Sequence, residues 1–182
     1  IYTLNVVGSV DVYKRQVLRE CTEGLFYTAA VHNRNKIANN DEVEDIMRIT
    51  RNTTTRLHNF AFKLAEKRKQ KGKLGKVTCV DKANVFKSQA LFRKIFNEIK
   101  DDFPNIEADT CYVDAMALNL IRQPWEYDVM VMENIFGDIL SDLGGGLVGG
   151  MGMASCGEIG DNHGLFQPCL LYTSDAADDV EC

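Results

Sequence analysis

The chain alternates short β-branched runs with longer segments of helical periodicity, and that alternation restricts it to a small set of folds. Residues 76–82 (KVTCVDK), 106–114 (IEADTCYVD) and 128–133 (DVMVME) predict strands, because β-branched and apolar side chains suit a packed sheet. Segments with apolar residues at helical spacing lie between and after them. Repeated alternation of this kind predicts a single α/β domain with helices packed on a sheet.

Four helices are expected around these strands. The first covers residues 51–72, where Asn52 or Thr53 can cap its start. The other three cover 84–104, 115–124 and a segment from 134 that runs into glycines. Ahead of the first helix, residues 43–50 alternate apolar and polar side chains and predict a further strand.

Length, charge and cysteine spacing limit the function classes. With 182 residues the chain can bury a real core, and its formal net charge of −5 disfavours nucleic acid, which requires a basic face. No stretch has the length of a membrane span, and no cysteine belongs to a C-x-x-C pair, so neither a membrane partner nor a zinc site is expected. Scattered cysteines predict reduced thiols, and we expect a cytoplasmic location, with an organelle left open.

Polar residues follow three of the predicted strands, where α/β proteins usually bind ligands. They are Asp81, Lys82, Asn84, Asp114, Glu133 and Asn134. Lys82 has two interpretations, a desolvated general base or a lysine whose ammonium reaches solvent. Arg19 likewise predicts either a bidentate clamp for a carboxylate or a structural residue.

Asp138 and Asp142 are spaced i, i+4, so both carboxylates project from one helix face. The flanking Ile139 and Leu143 predict a buried helix, where two unpaired carboxylates would be costly and a divalent metal would offset that cost. The alternative is a solvated acidic face. The glycine-rich stretch at 137–152 matches no phosphate-binding fingerprint and predicts a tight packing segment.

Five stretches together resemble one family: VLRECTEGLF, RITRNTTTRLHNFAFKLA, KVTCVDKANVFKSQALFRKIFNEI, YVDAMALNLIRQPWEYDVMVMENIFGDILSD and GGLVGGMGMA. They are similar to the β-decarboxylating dehydrogenases, which act on 3-isopropylmalate, isocitrate, homoisocitrate or tartrate, and they look most like the isopropylmalate branch. VDKANV and ENIFGDILSD are the most specific motifs. The resemblance implies an isopropylmalate-dehydrogenase-like α/β fold, a sheet with packed helices that is not a Rossmann fold and is incomplete here.

The resemblance also implies a metal site shared between two subunits. Asp138 and Asp142 match aspartates that bind Mg²⁺ or Mn²⁺ together with the substrate. Asp114 matches an aspartate that reaches the same metal from the other subunit. A homodimer with shared active sites is therefore expected.

For catalysis, the resemblance implies oxidation and decarboxylation of a malate-type 2-hydroxy acid such as 3-isopropylmalate. Lys82, working with Asp114, matches the group that relays the hydroxyl proton, and a hydride then passes to NAD, with NADP left open. Arg19 and Asn84 match substrate-binding residues. The main cofactor-binding loop of the family has no counterpart in this sequence, so no cofactor-binding residue is assigned.

One departure from the family concerns an acid. The family usually has a tyrosine where this chain has Phe26, and a phenyl ring cannot donate a proton. Tyr27 is adjacent, but neighbours on an extended chain face opposite ways. Decarboxylation with protonation at carbon is therefore less secure than oxidation.

The two ends of the chain have another explanation. DVYKRQ is the translation of GAT GTG TAT AAG AGA CAG, and CLLYTSDAAD is the translation of a reverse complement of the same kind of oligonucleotide, the adapters of sequencing libraries. We therefore predict adapter sequence at 1–16 and 169–182, on either side of a central piece of the dehydrogenase-like domain at 17–168. Both flanks are expected to lack stable packing, with Tyr13 and Tyr172 not buried.

Three functions remain open at this point. The first is a metal- and NAD(P)-dependent dehydrogenase of which this chain is a fragment. The second is a non-catalytic, regulatory subunit of the isocitrate dehydrogenase type, which Phe26 favours and Lys82 disfavours. The third is a dimerising fragment that is inactive as written.

Overall fold

The computed structural model describes residues 2–7, 15–27, 37–38, 41–149, 155–160 and 162–168. The strands are β1 Tyr2–Val7, β2 Arg15–Glu20, β3 Ile37–Ala38, β4 Val43–Glu44, β5 Lys76–Asp81, β6 Glu107–Tyr112, β7 Val129–Met132, β8 Ser155–Ile159 and β9 Gly164–Pro168. The helices are α1 Arg51–Gln70, α2 Lys87–Lys100, α3 Val113–Arg122 and α4 Asn134–Leu147, with a 3₁₀ helix at Pro124–Glu126. The predicted α/β alternation is confirmed.

Seven strands form one sheet in the order β6-β5-β7-β2-β1-β8-β9. The first four are parallel, and the register pairs Val129 of β7 with Val77 on one side and Gln16 on the other. The remaining strands pair antiparallel. Because the four parallel strands run the same way, their carboxyl ends meet at one edge of the sheet, which is where ligands bind in open α/β sheets.

Helices cover both faces of the parallel part of the sheet. Helices α1 and α2 pack on one face, where the core includes Leu57, Phe62 and Phe96. Helices α3 and α4 pack on the other, where Met116 and Leu140 are buried against strand residues. Both faces of the parallel strands are therefore apolar, which explains the near-continuous hydrophobic run of β7.

Helix α1 begins one residue after Thr50, so the expectation of a cap at Asn52 or Thr53 is wrong. The Thr50 side chain does not cap the helix; its Oγ1 donates to Glu23 at 2.7 Å instead. At the other end, Gly72 takes a φ of +73°, a conformation that side chains with a Cβ rarely adopt. Lys67, Arg68 and Lys69 lie in the last turn, where cations interact favourably with the helix dipole.

The strand predicted at 43–50 is wrong for most of its length. Only Val43 and Glu44 form a strand, and they pair with the two residues of β3. Beyond them, Arg48 makes an isolated bridge to Gly24. An alternating pattern predicts a strand only where a neighbouring strand pairs with it, and among the described residues 46–50 gain only the single bridge at Arg48.

Residues 2–7 and 15–16, the described part of the first sixteen, differ from the expectation that they lack packing. Tyr2–Val7 forms β1, which is hydrogen-bonded between β2 and β8, and Gln16 is buried within β2. That expectation is wrong for these residues, because TLNVV is rich in strand formers and backbone ladders accept many sequences.

Tyr13, Tyr172 and residues 169–182 lie outside the described residues. The pairing of a strand does not report the origin of its codons. The adapter origin of 1–16 and 169–182, and with it the 17–168 boundary, therefore stays a prediction. None of the helices in the described ranges combines the length and apolar character needed to cross a membrane.

Candidate active site

The carboxyl edge of the parallel strands carries most of the residues that the sequence singled out. Arg19 lies near the end of β2, Lys82 directly follows β5, and Asn134 opens α4 just after β7. Asp114 lies in the first turn of α3, directly after β6. Neighbouring strands are about 4.8 Å apart, so the four chain segments share one edge of the sheet.

Arg19 is held by two residues of α4. Its Nε donates to Asn134 Oδ1 at 2.8 Å, and its Nη1 forms an ion pair with Asp138. Gly137 allows this approach, because a Cβ at that position would lie 2.6 Å from the Arg19 side chain. The guanidinium is therefore fixed beside a carboxylate that the sequence assigned to a metal.

A compact turn after β2 is anchored by two buried glutamates. Glu20 accepts from the backbone N–H groups of Thr22 at 2.8 Å and Glu23 at 2.6 Å. Glu23 accepts from the backbone N–H of Thr50 at 2.8 Å. Because each carboxylate binds backbone donors, the turn that follows Arg19 is tied to the start of α1. The sequence reasoning missed both glutamates, although their close spacing around Thr22 was a local signal of such a turn.

Phe26 and Tyr27 face different cations. The Arg19 guanidinium lies 5.5 Å from the centroid of the Phe26 ring. The Arg48 guanidinium lies 4.6 Å from the centroid of the Tyr27 ring. The ring next to the Arg19–Asp138 pair is therefore the one without a hydroxyl; residues 25–27 form a turn rather than an extended strand, so the turn geometry separates the two rings.

Lys82 and Asp114 form a second ion pair at this edge. The hydrogen bond from Lys82 lowers the pKa of the Asp114 carboxyl, which is largely exposed. Asn84 is exposed on the turn that follows Lys82. Strand β7 separates β5 from β2, so this pair and the Arg19–Asp138 pair are distinct clusters within one chain.

The acidic face of α4 differs from the sequence argument. Asp138 is 46% exposed, Asp142 is exposed, and Ile139 between them is 58% exposed. The expectation that a buried helix forces these carboxylates onto a metal is therefore wrong, because this face of α4 is open. Within the described ranges, no three His, Cys, Asp or Glu residues gather into a metal-binding group.

Glu133 caps α4 from inside the protein. It is 1% exposed and accepts from the backbone N–H groups of Ile135 at 3.2 Å and Phe136 at 3.3 Å. Burial, with a smaller contribution from the nearby Glu20, raises the pKa of Glu133 to about 7. Placed directly after β7, this carboxyl is a proton-binding group at the edge of the candidate site.

Comparison with known proteins decides the family. The model of the isocitrate/isopropylmalate dehydrogenase family matches residues 3–175. The chain belongs to this family. The match extends beyond 17–168 on both sides, which leaves the origin of the flanking codons untested.

Curated members of the family are similar along most of the chain. A 3-isopropylmalate/3-methylmalate dehydrogenase of Methanocaldococcus jannaschii is 44% identical over 153 residues, which are 84% of this chain and 44% of that protein. A homoisocitrate dehydrogenase of the same organism is 42% identical over 153 residues, with 84% of this chain and 41% of that protein covered. The chain thus spans less than half the length of these two relatives.

Solved structures of the family share the fold. Isocitrate dehydrogenase of Methylococcus capsulatus superposes with a TM-score of 0.83 and 35% identity, over 98% of this chain and 53% of that chain. A β-decarboxylating dehydrogenase of Thermococcus kodakarensis has a TM-score of 0.75 and 32% identity, over 92% of this chain and 47% of that one. The expected family-type α/β fold is confirmed, and the names of these relatives identify a family of β-decarboxylating dehydrogenases.

Proposed function

We propose that this chain supplies the substrate and metal residues of a nicotinamide-dependent dehydrogenase that oxidises a malate-type 2-hydroxy acid. The observation that supports this most is the Arg19–Asp138 pair at the same sheet edge as the Lys82–Asp114 pair. In the first pair, the Arg19 guanidinium can bind a substrate carboxylate, and the Asp138 carboxylate beside it can coordinate a metal ion. The other offers an amine hydrogen-bonded to a carboxylate, which suits proton transfer.

Arg19 binds a substrate carboxylate in this proposal. Asn134 already fixes its Nε, which leaves the guanidinium oriented toward the open side of α4. A fixed guanidinium loses little side-chain freedom when a carboxylate binds. Asn84, exposed on the turn after Lys82, adds an amide to the substrate site.

Asp138 and Asp142 would hold Mg²⁺ or Mn²⁺ together with Asp114 of the partner subunit. The donor set fits, because these ions prefer carboxylate oxygens and Asp138 keeps nearly half of its surface open although Arg19 contacts it. When bound, the ion would polarise the substrate oxygen and stabilise negative charge on it. Lys82, as a neutral amine, would accept the hydroxyl proton, and Asp114 would pair with the ammonium that results.

We propose a homodimer in which each site draws residues from both chains. Asp114 and Lys82 form a cluster separate from Asp138 in one chain, so a three-carboxylate site is incomplete without a second copy. Exposed apolar side chains on α3, the 3₁₀ helix and α4 provide a surface for that copy; they are Leu118, Ile121, Trp125, Ile139 and Leu147. Covering such a surface with a second copy is favourable by about 25 cal/mol per Å² of apolar area.

The nicotinamide cofactor is NAD in this proposal, with NADP as the alternative, and 3-isopropylmalate is the leading substrate. Relatives of similar identity carry the names of different substrates, so the substrate side chain has to be measured. Phe26 cannot protonate an enol product, and Tyr27 lies against Arg48 instead. We expect oxidation to be faster than protonation of the decarboxylated product.

The direct experiment is a dehydrogenase assay of the protein that contains this chain, with Mn²⁺, NAD and a panel of 3-isopropylmalate, isocitrate and tartrate. We expect NAD reduction with one of the three. Asp138→Asn should abolish it, whereas Glu98→Gln, an exposed acid on α2, should not. If NAD is reduced with none of the three acids, the proposed dehydrogenase function is refuted.

A regulatory subunit is the second candidate, and Phe26 is the observation that favours it. Phe26→Tyr separates the two. In an enzyme, the restored hydroxyl should speed protonation of the enol that remains after CO₂ leaves, measured as 2-oxo acid product formed per NADH. In a regulatory subunit, it should leave that ratio unchanged.

A further inference from the structure

The turn that carries Lys82 is clamped by a buried ion pair. Asp81 is fully buried, and its two carboxylate oxygens accept from Arg93 Nε and Nη2, each at 2.7 Å. The same carboxylate accepts from the backbone N–H of Ala83 at 2.8 Å. The residues on both sides of Lys82 are thus held by one carboxylate, and that carboxylate is held by a residue of α2.

Arg93 also contacts the aromatic ring on which Lys82 lies. Its guanidinium carbon is 4.9 Å from the centroid of the Tyr112 ring, and Lys82 Nζ is 5.6 Å from the same centroid. The pKa of Arg93 is raised, first by its hydrogen bond to Asp81 and further by one with Tyr112. The ring therefore connects the two cations, and Arg93 fixes its orientation.

The ion pair with Asp114 is too weak to position Lys82 by itself. Asp114 is 67% exposed, and ion pairs of that kind contribute little to fixing a side chain in water. Asp81, in contrast, has no exposure and would be left without a counter-charge if Arg93 were removed. The geometry that fixes the Lys82 ammonium therefore depends more on Asp81, Arg93 and Tyr112 than on Asp114.

We propose that Arg93 is a positioning residue for Lys82: it holds Asp81, which fixes the turn, and Tyr112, which supports the ammonium. The catalytic part of this inference rests on the proposed function, in which Lys82 moves a proton. The positioning part does not, and it is measured separately.

The test uses the full chain labelled with ¹³C at lysine Cε, with the Lys82 signal identified by its loss in Lys82→Arg. The nearby ring should displace that signal upfield from those of exposed lysines. Arg93→Met should abolish the displacement, Arg93→Lys should keep part of it, and Lys94→Met, the neighbouring exposed cation on α2, should leave it intact. An undisturbed Lys82 signal in Arg93→Met would overturn the proposal; if that variant does not fold, an undisturbed signal in Arg93→Lys would do so.

A kinetic measurement then tests the consequence. In the protein that contains this chain, Arg93→Met should lower kcat by on the order of 10–100-fold and leave KM for the hydroxy acid nearly unchanged, with Arg93→Lys recovering part of the loss. An equal loss in the Lys94→Met control would overturn it. If the wild type reduces no NAD, the proposed function fails while the Lys82 signal still decides the positioning role.

Discussion

Strand β7 has an aspartate–arginine pair near each end, and the two pairs differ in exposure. Before the strand, Asp128 is 2% exposed and binds Arg68 through Nε at 2.7 Å and Nη2 at 2.5 Å, while Gly75 N–H donates to its other oxygen at 2.7 Å. After the strand, Asp138 pairs with Arg19 and is 46% exposed.

The difference separates a pair that is closed to solvent from a pair that a ligand can reach. Both Asp128 oxygens accept hydrogen bonds inside the protein, so nothing further can bind there without a large cost. Asp138 keeps an open side toward solvent, where a cation or a substrate can approach. Burial, rather than residue type, thus distinguishes the end of β7 that holds the fold from the end that can carry chemistry.

The largest effect on stability is expected at the start of β7, where Asp128 is enclosed. Asp128→Asn should lower the free energy of unfolding by about 3–5 kcal/mol, because it breaks the ion pair between the fully enclosed Asp128 carboxylate and the partly buried Arg68. Urea unfolding followed by circular dichroism measures the change. A loss of less than about 1 kcal/mol would mean that Asp128 is no more structural than Asp138, and the contrast between the two ends would fail.

The core between α1 and α2 also sets the acid limit of stability, through His58. This imidazole is buried against Phe92 and Phe96, and burial lowers its pKa to about 3. Its pKa in the unfolded chain is about 6.5, so the unfolded state binds the extra proton between these values and stability falls as pH drops from about 6.5 to 3. The slope is up to about 1.4 kcal/mol per pH unit.

His58→Phe should flatten this acid limb in urea unfolding measured at a series of pH values. His163→Gln, an exposed histidine, is the control and should leave the limb unchanged. If His58→Phe keeps the full pH dependence, this histidine is not the group that sets the acid limb.

Glu133, at the open end, should act with the opposite sign. Burial raises its pKa to about 7 from an ordinary value of 4.5, so the folded state binds the extra proton and stability falls as pH rises from about 4.5 to 7. Glu133→Gln should remove this loss in the same pH series, since an amide can still accept the helix-cap hydrogen bonds. If Glu133→Gln keeps the same pH dependence, ionising the Glu133 carboxyl in the folded protein does not lower its stability.

The smallest effect on folding is expected at Asp138 itself. Asp138→Asn should change the free energy of unfolding by less than about 1 kcal/mol, because exposed ion pairs contribute little. The same variant should weaken Mn²⁺ binding at least about tenfold, measured by titration calorimetry. Asp128 would then matter for stability, and Asp138 for Mn²⁺ binding. A large destabilisation without a loss of Mn²⁺ affinity would reverse the assignment.

Local patterns predicted the elements that bury a stripe or a whole run of apolar residues. The strand at 128–133 and the helix at 51–72 were predicted from spacing alone, and the structure has β7 and α1 there. The strand at 43–50 failed because, among the described residues, its alternation pairs only with the two residues of β3 and through one bridge at Arg48. Pairing is decided by the rest of the fold, which a local pattern does not contain.

The candidate site was predicted residue by residue but not in its arrangement. Lys82 and Asp114 were identified from strand ends and family motifs, and the structure pairs them. The contact between Arg19 and Asp138 joins residues more than a hundred positions apart, and Arg93 binds Asp81 across an intervening turn. Neither contact has a signal in spacing, because sheet order and helix packing create both.

Mixing two variants tests most directly whether each metal site is shared between chains. Asp114→Asn and Asp138→Asn should each lose Mn²⁺ affinity when refolded alone. When the two are unfolded and refolded together, mixed dimers should regain a fraction of high-affinity sites, since one chain supplies Asp138 and the other supplies Asp114. If the mixture binds no more Mn²⁺ than the two variants refolded separately, the carboxylates do not meet across a dimer and the shared site is contradicted.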